Sequence, residues 1–164
     1  MRQSVPNGNR VVLVLVVVIV TASVAVSIFA MRPISLAEDG VSFHDVESQT
    51  RQFFEYEKGI QLTAVQEAVK KEALIAIPAP CCSDNTAYTC CCPCNLARSI
   101  WGLSNHLIAK EGADVATVRA KVQEWVAFVN PDGYSGDVCY VNGGCNRPFH
   151  QNGCGGMSPE QLSL

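Results

Sequence analysis

The sequence predicts an all-α protein: an N-terminal transmembrane helix, a small helical bundle carrying a Cys-rich loop, and an irregular Cys/Gly-rich C-terminal tail. Three observations predict it. Val11 to Met31 runs for 21 residues without a charge. Between residues 42 and 133, four apolar stripes recur at the three-and-four spacing of a helix face. Six cysteines crowd into Cys81–Cys94, and a Gly-, Asn- and Cys-rich stretch without periodicity closes the chain. The expected boundaries are a cytoplasmic tail at 1–10, a signal anchor at 11–31, a linker at 32–41, a helical Cys-rich domain at 42–133 and the tail at 134–164.

The apolar run is VVLVLVVVIVTASVAVSIFAM. At about 1.5 Å per residue it matches a hydrocarbon core of roughly 30 Å. Apolar cores of cleaved signal peptides usually span about 7–15 residues. The small-x-small pattern at Ser23–Ala25 falls inside the run, and no cysteine lies near residue 31 for lipid attachment, so an uncleaved anchor is expected. Arg2 and Arg10 precede the span and favour a cytoplasmic N-terminus; Arg32 beyond it weakens that bias without reversing it. The expected location is the cell membrane, single-pass, with the domain on the extracytoplasmic (periplasmic) side. The net charge is −3 and no Lys/Arg stripe is present, which argues against nucleic acid as a partner.

The first helix is expected from Ser42, a candidate N-cap, to Gly59, with Phe43, Val46, Thr50, Phe53 and Phe54 near one face. His44 and Tyr56 read as surface residues. The second helix opens on Thr63–Gln66, a capping box in which hydroxyl and amide satisfy orphan N–H groups reciprocally. Its expected stripe is Val65, Ala68, Val69, Ala73 and Ala76, and the IPAP run at Ile77–Pro80 ends it. The third begins near Asn95, with Leu96, Ile100, Leu103 and Leu107 in register, and stops around Lys110–Gly112. Asp114 caps the fourth, whose stripe is Val115, Val118, Val122, Trp125, Val126 and Val129; Asn130–Gly133 is a turn. Trp101 and Trp125 read as core or boundary packing, and His106 as partly packed.

Nine cysteines, an odd number, lie between Cys81 and Cys154. Outside the cytoplasm disulfides persist, so a structural staple is the plain reading of any pair, with at least one cysteine left over. Cys91 and Cys94 form a C-x-x-C whose second cysteine abuts a helix start, where partial positive charge is expected to favour thiolate. Thiolate serves both disulfide exchange and soft-metal binding. A redox dithiol needs two sulfurs, yet Cys81, Cys82, Cys90, Cys91, Cys92 and Cys94 share 14 residues. That surplus favours a soft ion, copper(I) first because it accepts two to four thiolates; zinc and an iron–sulfur cluster fit less well. In the tail, Cys139, Cys145 and Cys154 are expected to tie down a segment with little to bury, and His150 and Met157 add soft donors. Nucleophile-elbow, zincin and phosphate-loop motifs are absent, and the C-x-x-C lacks the histidine of covalent haem attachment.

Across about residues 62–130 the order of parts resembles two exported bacterial families. Cys91 and Cys94, the LARSIWGLSNHLIAKEG helix and VRAKVQEWVAFV are similar to the C-x-x-C thiol-oxidoreductase subunit of cytochrome c maturation. IPAPCC and CCCPC before the same hairpin resemble exported proteins with a P-C-Y-C-G-C motif, without matching that motif. The resemblance implies a small helical domain presenting thiols and leaves the ligand open.

The expected function is soft-metal binding, copper(I) favoured, for delivery, storage or detoxification. Cys91 and Cys94 would be core ligands, Cys81, Cys82, Cys90 and Cys92 contributors, and Cys139, Cys145, His150 and Cys154 further donors. Expected partners are the membrane, through the N-terminal helix, and a membrane protein or metalloprotein. The alternatives are a thiol-disulfide oxidoreductase with Cys91 as nucleophile and Cys94 as resolving thiol, and a disulfide-stapled interaction module without chemistry of its own.

Overall fold

The computed structural model describes residues 40–80, 82–135 and 143–164. The expected cytoplasmic tail and signal anchor, most of the linker, and Cys81 and Cys139 lie outside the described residues. Among the described residues no helix is long and apolar enough to cross a membrane.

Four helices carry the described fold: α1 Val46–Gly59, α2 Ala64–Ile75, α3 Asn95–Lys110 and α4 Val115–Val129. The mostly helical expectation holds. Between α2 and α3 lies an addition to it, a small antiparallel hairpin of β1 Pro78–Ala79 and β2 Cys82–Thr86. Its base is closed by Ala87 N–H donating to the Ile77 carbonyl at 2.8 Å, and by reciprocal bonds between Thr86 and Thr89. A proline is tolerated in β1 because the sheet has only two strands and both are edges. Three 3-10 turns follow α4, at Gly144–Asn146, Phe149–Gln151 and Pro159–Gln161.

The cap residues explain where the helices start. Asp45, not Ser42, caps α1: its carboxylate accepts from Ser48 N–H at 2.6 Å. Buried Gln49 reaches back to the N–H groups of His44 and Asp45 and donates to the Ser42 carbonyl, which holds residues 42–45 outside the helix. The Thr63–Gln66 capping box forms as expected, and Asp114 caps α4 through Thr117 N–H at 2.9 Å.

The middle of the fold is α3, which packs against each of the other helices. It buries Leu96, Ala97, Ile100, Leu103, Leu107 and Ile108. From α4 come Val118, Val122, Trp125 and Val129, as the stripe foretold. The Trp125 ring meets Phe53 edge-on at 5.0 Å and Phe43 at 5.2 Å, and its indole N–H donates to buried Ser99 Oγ at 2.9 Å. Trp101 is the boundary residue, its indole N–H bound to the Ala87 carbonyl. Gly102 lets α1 and α3 touch backbone to backbone, since a Cβ there would lie 1.8 Å from the Phe53 carbonyl oxygen.

Two surface assignments change. On α2 the buried face is Ala73 and Leu74, continued by Ile77, whereas Val65 is 77% exposed and Ala68 and Ala76 are also exposed. The helix turns Ala73 and Leu74 into the core and keeps Val69 partly buried against it, while Val65 and Ala68 face away. Tyr56 is half-buried, its ring stacked on His106 at 4.3 Å. His106 is packed as expected and lies 3.3 Å from a Glu111 carboxylate oxygen.

Candidate functional site

The thiols sit where the hairpin runs into α3. Pro93 and the start of the helix fix Cys94 as the N-cap, with extended backbone and its side chain fully buried in the apolar core. Three residues earlier Cys91 is exposed. The chain thus separates the two cysteines of the C-x-x-C, one outside and one inside. Cys90 accompanies Cys94, lining the same narrow apolar pocket with Pro80, Ala87 and Ile100.

Outside, the Cys91 Sγ lies 3.5 Å from the Cys92 Sγ. Cys82, from the start of β2, stands beside them and interacts with the Cys91 thiol. The Cys82 Sγ accepts a hydrogen bond from Asn85 Nδ2 at 3.2 Å, which aims it. Two further contacts hold the platform: the Tyr88 hydroxyl donates to Glu67 of α2 at 3.0 Å, and Arg98 Nε donates to the Pro93 carbonyl at 3.1 Å. Cys82, Cys91 and Cys92 are thiols in the structure.

The electrostatics of Cys91 reverse the expectation drawn from the helix start. Its thiol is pushed up to about 12, first by its hydrogen bond to Cys92, then by burial, and then by Cys82. A thiolate there would meet the lone pairs of two neighbouring sulfurs. The end of α3 offers no relief, because its first N–H groups already have acceptors. Asn95 N–H donates to the Gly156 carbonyl at 2.9 Å, and Leu96 N–H to the Cys154 carbonyl at 3.1 Å. Two of the orphan donors of this helix N-terminus are thus taken by the C-terminal tail.

That docking also revises the picture of the tail. It does bury apolar groups: Phe149 and Cys154 are both in the core. Asn95, fully buried, donates through Nδ2 to the Gly155 and Ser158 carbonyls at 2.9 and 2.8 Å. Within the tail, Cys154 N–H binds the Gly144 carbonyl, Gly155 N–H that of Arg147, and Gly156 N–H that of Cys145. Backbone bonds thus fasten the segment, whatever its cysteines contribute. Asn95, Gly155 and Gly156 were not singled out from the sequence, though an Asn immediately after the C-x-x-C and the CGG at Cys154–Gly156 are the signals that mark them.

Of the other candidate donors, Cys145 is half-buried, Met157 is exposed, and His150 is exposed on a 3-10 turn with its Nε2 3.3 Å from Gln151 Nε2. Among the described residues no three His, Cys, Asp or Glu side chains form a ready metal-holding group. Cys82 therefore stands next to a two-sulfur pair and does not close a three-sulfur cup. Comparison with known family models, with curated proteins and with solved structures finds no match for this chain.

Proposed function

We propose that this chain is a membrane-anchored extracytoplasmic protein that binds a soft metal ion, copper(I) first, for delivery, storage or detoxification. The observation that carries the reading is the Cys91–Cys92 sulfur pair, 3.5 Å apart, on the exposed side of the loop with Cys82 beside it. Crowded thiols that resist ionisation become good ligands when a cation replaces their protons, because the repulsion between lone pairs turns into shared attraction to the ion. Copper(I) accepts two thiolates and gains from a third, which Cys82 could supply by a change of rotamer. The buried Cys94 lies on the inner side, so the pair Cys91/Cys92 takes the ligand role in place of Cys91/Cys94. The anchor rests on the uncharged Val11–Met31 run and on Arg2 and Arg10 before it.

Disulfide exchange is less well supported. It needs Cys91 as thiolate near neutral pH, and its neighbours hold it protonated.

The test is a copper(I) titration of the reduced chain against a competing chelator, with zinc as a parallel titrant. Stoichiometric copper that falls away in the Cys91→Ser/Cys92→Ser double variant supports the proposal. No copper above the double variant's level sinks it. Fractionation of the expressing cell tests the anchor separately.

A further inference from the structure

The spacing of the Cys91–Cys92 pair carries information about which soft ligand suits it. With an element–sulfur bond of about 2.3 Å, a linear centre sets its two sulfurs about 4.6 Å apart, a tetrahedral one about 3.8 Å, and a pyramidal one with angles of about 100° about 3.5 Å. The observed separation is 3.5 Å. A linear ion requires the pair to spread by about 1 Å, and a pyramidal centre requires no spreading.

The competing fate of the pair, a disulfide between neighbours in the chain, is poorly matched. Consecutive alpha carbons are about 3.8 Å apart, short of the roughly 4.4–6.8 Å that an unstrained disulfide spans. The two thiols therefore do not close on each other, and in the structure Cys91, Cys92 and the neighbouring Cys82 are all free. The pair is also reachable, since Cys91 is exposed and Cys92 half-buried, whereas Cys94 is closed in the core.

We infer that Cys91 and Cys92 form a chelating site for trivalent organoarsenicals, pyramidal centres that take two thiolates beside one carbon. The inference rests on the reading of this pair as the soft-ligand site and names a second ligand class for it. The step is a condensation without redox change. An arsenoxide, R–As=O, meets the two S–H groups; two As–S bonds form, the As–O bonds break, and the oxygen leaves with both protons as water. Arsenic is trivalent before and after. The product is a three-atom bridge, S–As–S, across two side chains whose sulfurs barely move.

The probe is phenylarsine oxide on the reduced, metal-free full chain, read by intact mass and by thiol titration. The expected result is the mass of one phenylarsine oxide gained less one water, with two thiols consumed, mapped to the peptide holding Cys91 and Cys92. The adduct is expected to vanish in Cys91→Ser and in Cys92→Ala, each with its near-ultraviolet tryptophan signal retained. A small dithiol should reverse it and a monothiol at equal concentration should not. An absent adduct, or one that persists in both variants at other cysteines, overturns the inference. Copper binding on the same preparations separates the two readings: copper without arsenical sinks this inference alone, and arsenical without copper sinks the copper reading alone.

Discussion

Asn95 and Gly156 are joined across 61 positions of chain by a backbone hydrogen bond of 2.9 Å, and this bond closes the N-terminus of α3 directly behind the thiols. The Asn95 side chain reinforces it by donating to Gly155 and Ser158. Gly156 has φ of +100°, and a Cβ on it would lie 2.2 Å from the Gln161 carbonyl oxygen. Gly156→Ala is therefore expected to undock the tail. Amide hydrogen exchange should accelerate at Asn95 and Leu96 ahead of the rest of α3, and the tail should become a protease target. Asn95→Ala, which strands the buried Gly155 carbonyl and the part-buried Ser158 carbonyl, is expected to cost about 1–3 kcal/mol in urea unfolding.

Gly102 sets the distance between α1 and α3. Its missing Cβ would fall 1.8 Å from the Phe53 carbonyl oxygen and 3.0 Å from the Glu57 amide nitrogen, both backbone atoms that cannot rotate away. Gly102→Ala is expected to force the helices apart and destabilise by about 3 kcal/mol, the upper end of ordinary overpacking. Gly59→Ala is the control, because nothing lies within 4 Å of its would-be Cβ. It should leave the urea midpoint unchanged or raise it slightly.

Helical periodicity made most of the bundle legible. The α3 and α4 stripes, the capping box at Thr63 and the cap at Asp114 are all where pattern and cap chemistry put them. The hairpin was not legible, since CSDNT has neither alternation nor a β-branched run; only its pairing with Pro78–Ala79 makes it a strand. The site was half legible. Sulfur density pointed to the loop, but sequence spacing says nothing of which way a thiol faces, and here burial sorts Cys94 from Cys91. Nor could local reasoning see that a segment some 60 residues later would occupy the end of α3.

Stability toward acid should depend on the helix caps. Asp45 and Asp114 are both held below the usual carboxylate range, chiefly by the hydrogen bonds they accept from Ser48 and Thr117. The sign follows from linkage. A carboxyl whose folded pKa is depressed stabilises the fold fully above its unfolded value, 3.8, and loses that contribution as pH falls through the folded pKa. Asp114→Asn keeps a capping oxygen without the charge. Its thermal midpoint is expected to drop less than that of the parent between pH 5 and 2; parallel curves would show that this cap carries no acid sensitivity.

The raised Cys91 thiol makes a prediction about reactivity that runs against its exposure. In the metal-free chain, alkylation at pH 7 should be slow at Cys91 although it is the most exposed of the described loop cysteines, because the thiolate that reacts is scarce. Its rate should climb about tenfold per pH unit through the alkaline range, the behaviour of a group still far below its pKa. The first cause of the shift is the Cys92 thiol, so Cys92→Ser replaces a large, polarisable neighbour with a small hydroxyl that can donate to a thiolate. That variant is expected to lower the Cys91 pKa and speed its alkylation at fixed pH, as read by quantitative peptide mass spectrometry. Asn85→Ala tests the third sulfur. Without the amide that aims Cys82, the Cys82 thiol should turn away and relieve Cys91 in the same direction by a smaller amount. If neither substitution changes the rate, the two sulfurs do not govern the ionisation of Cys91.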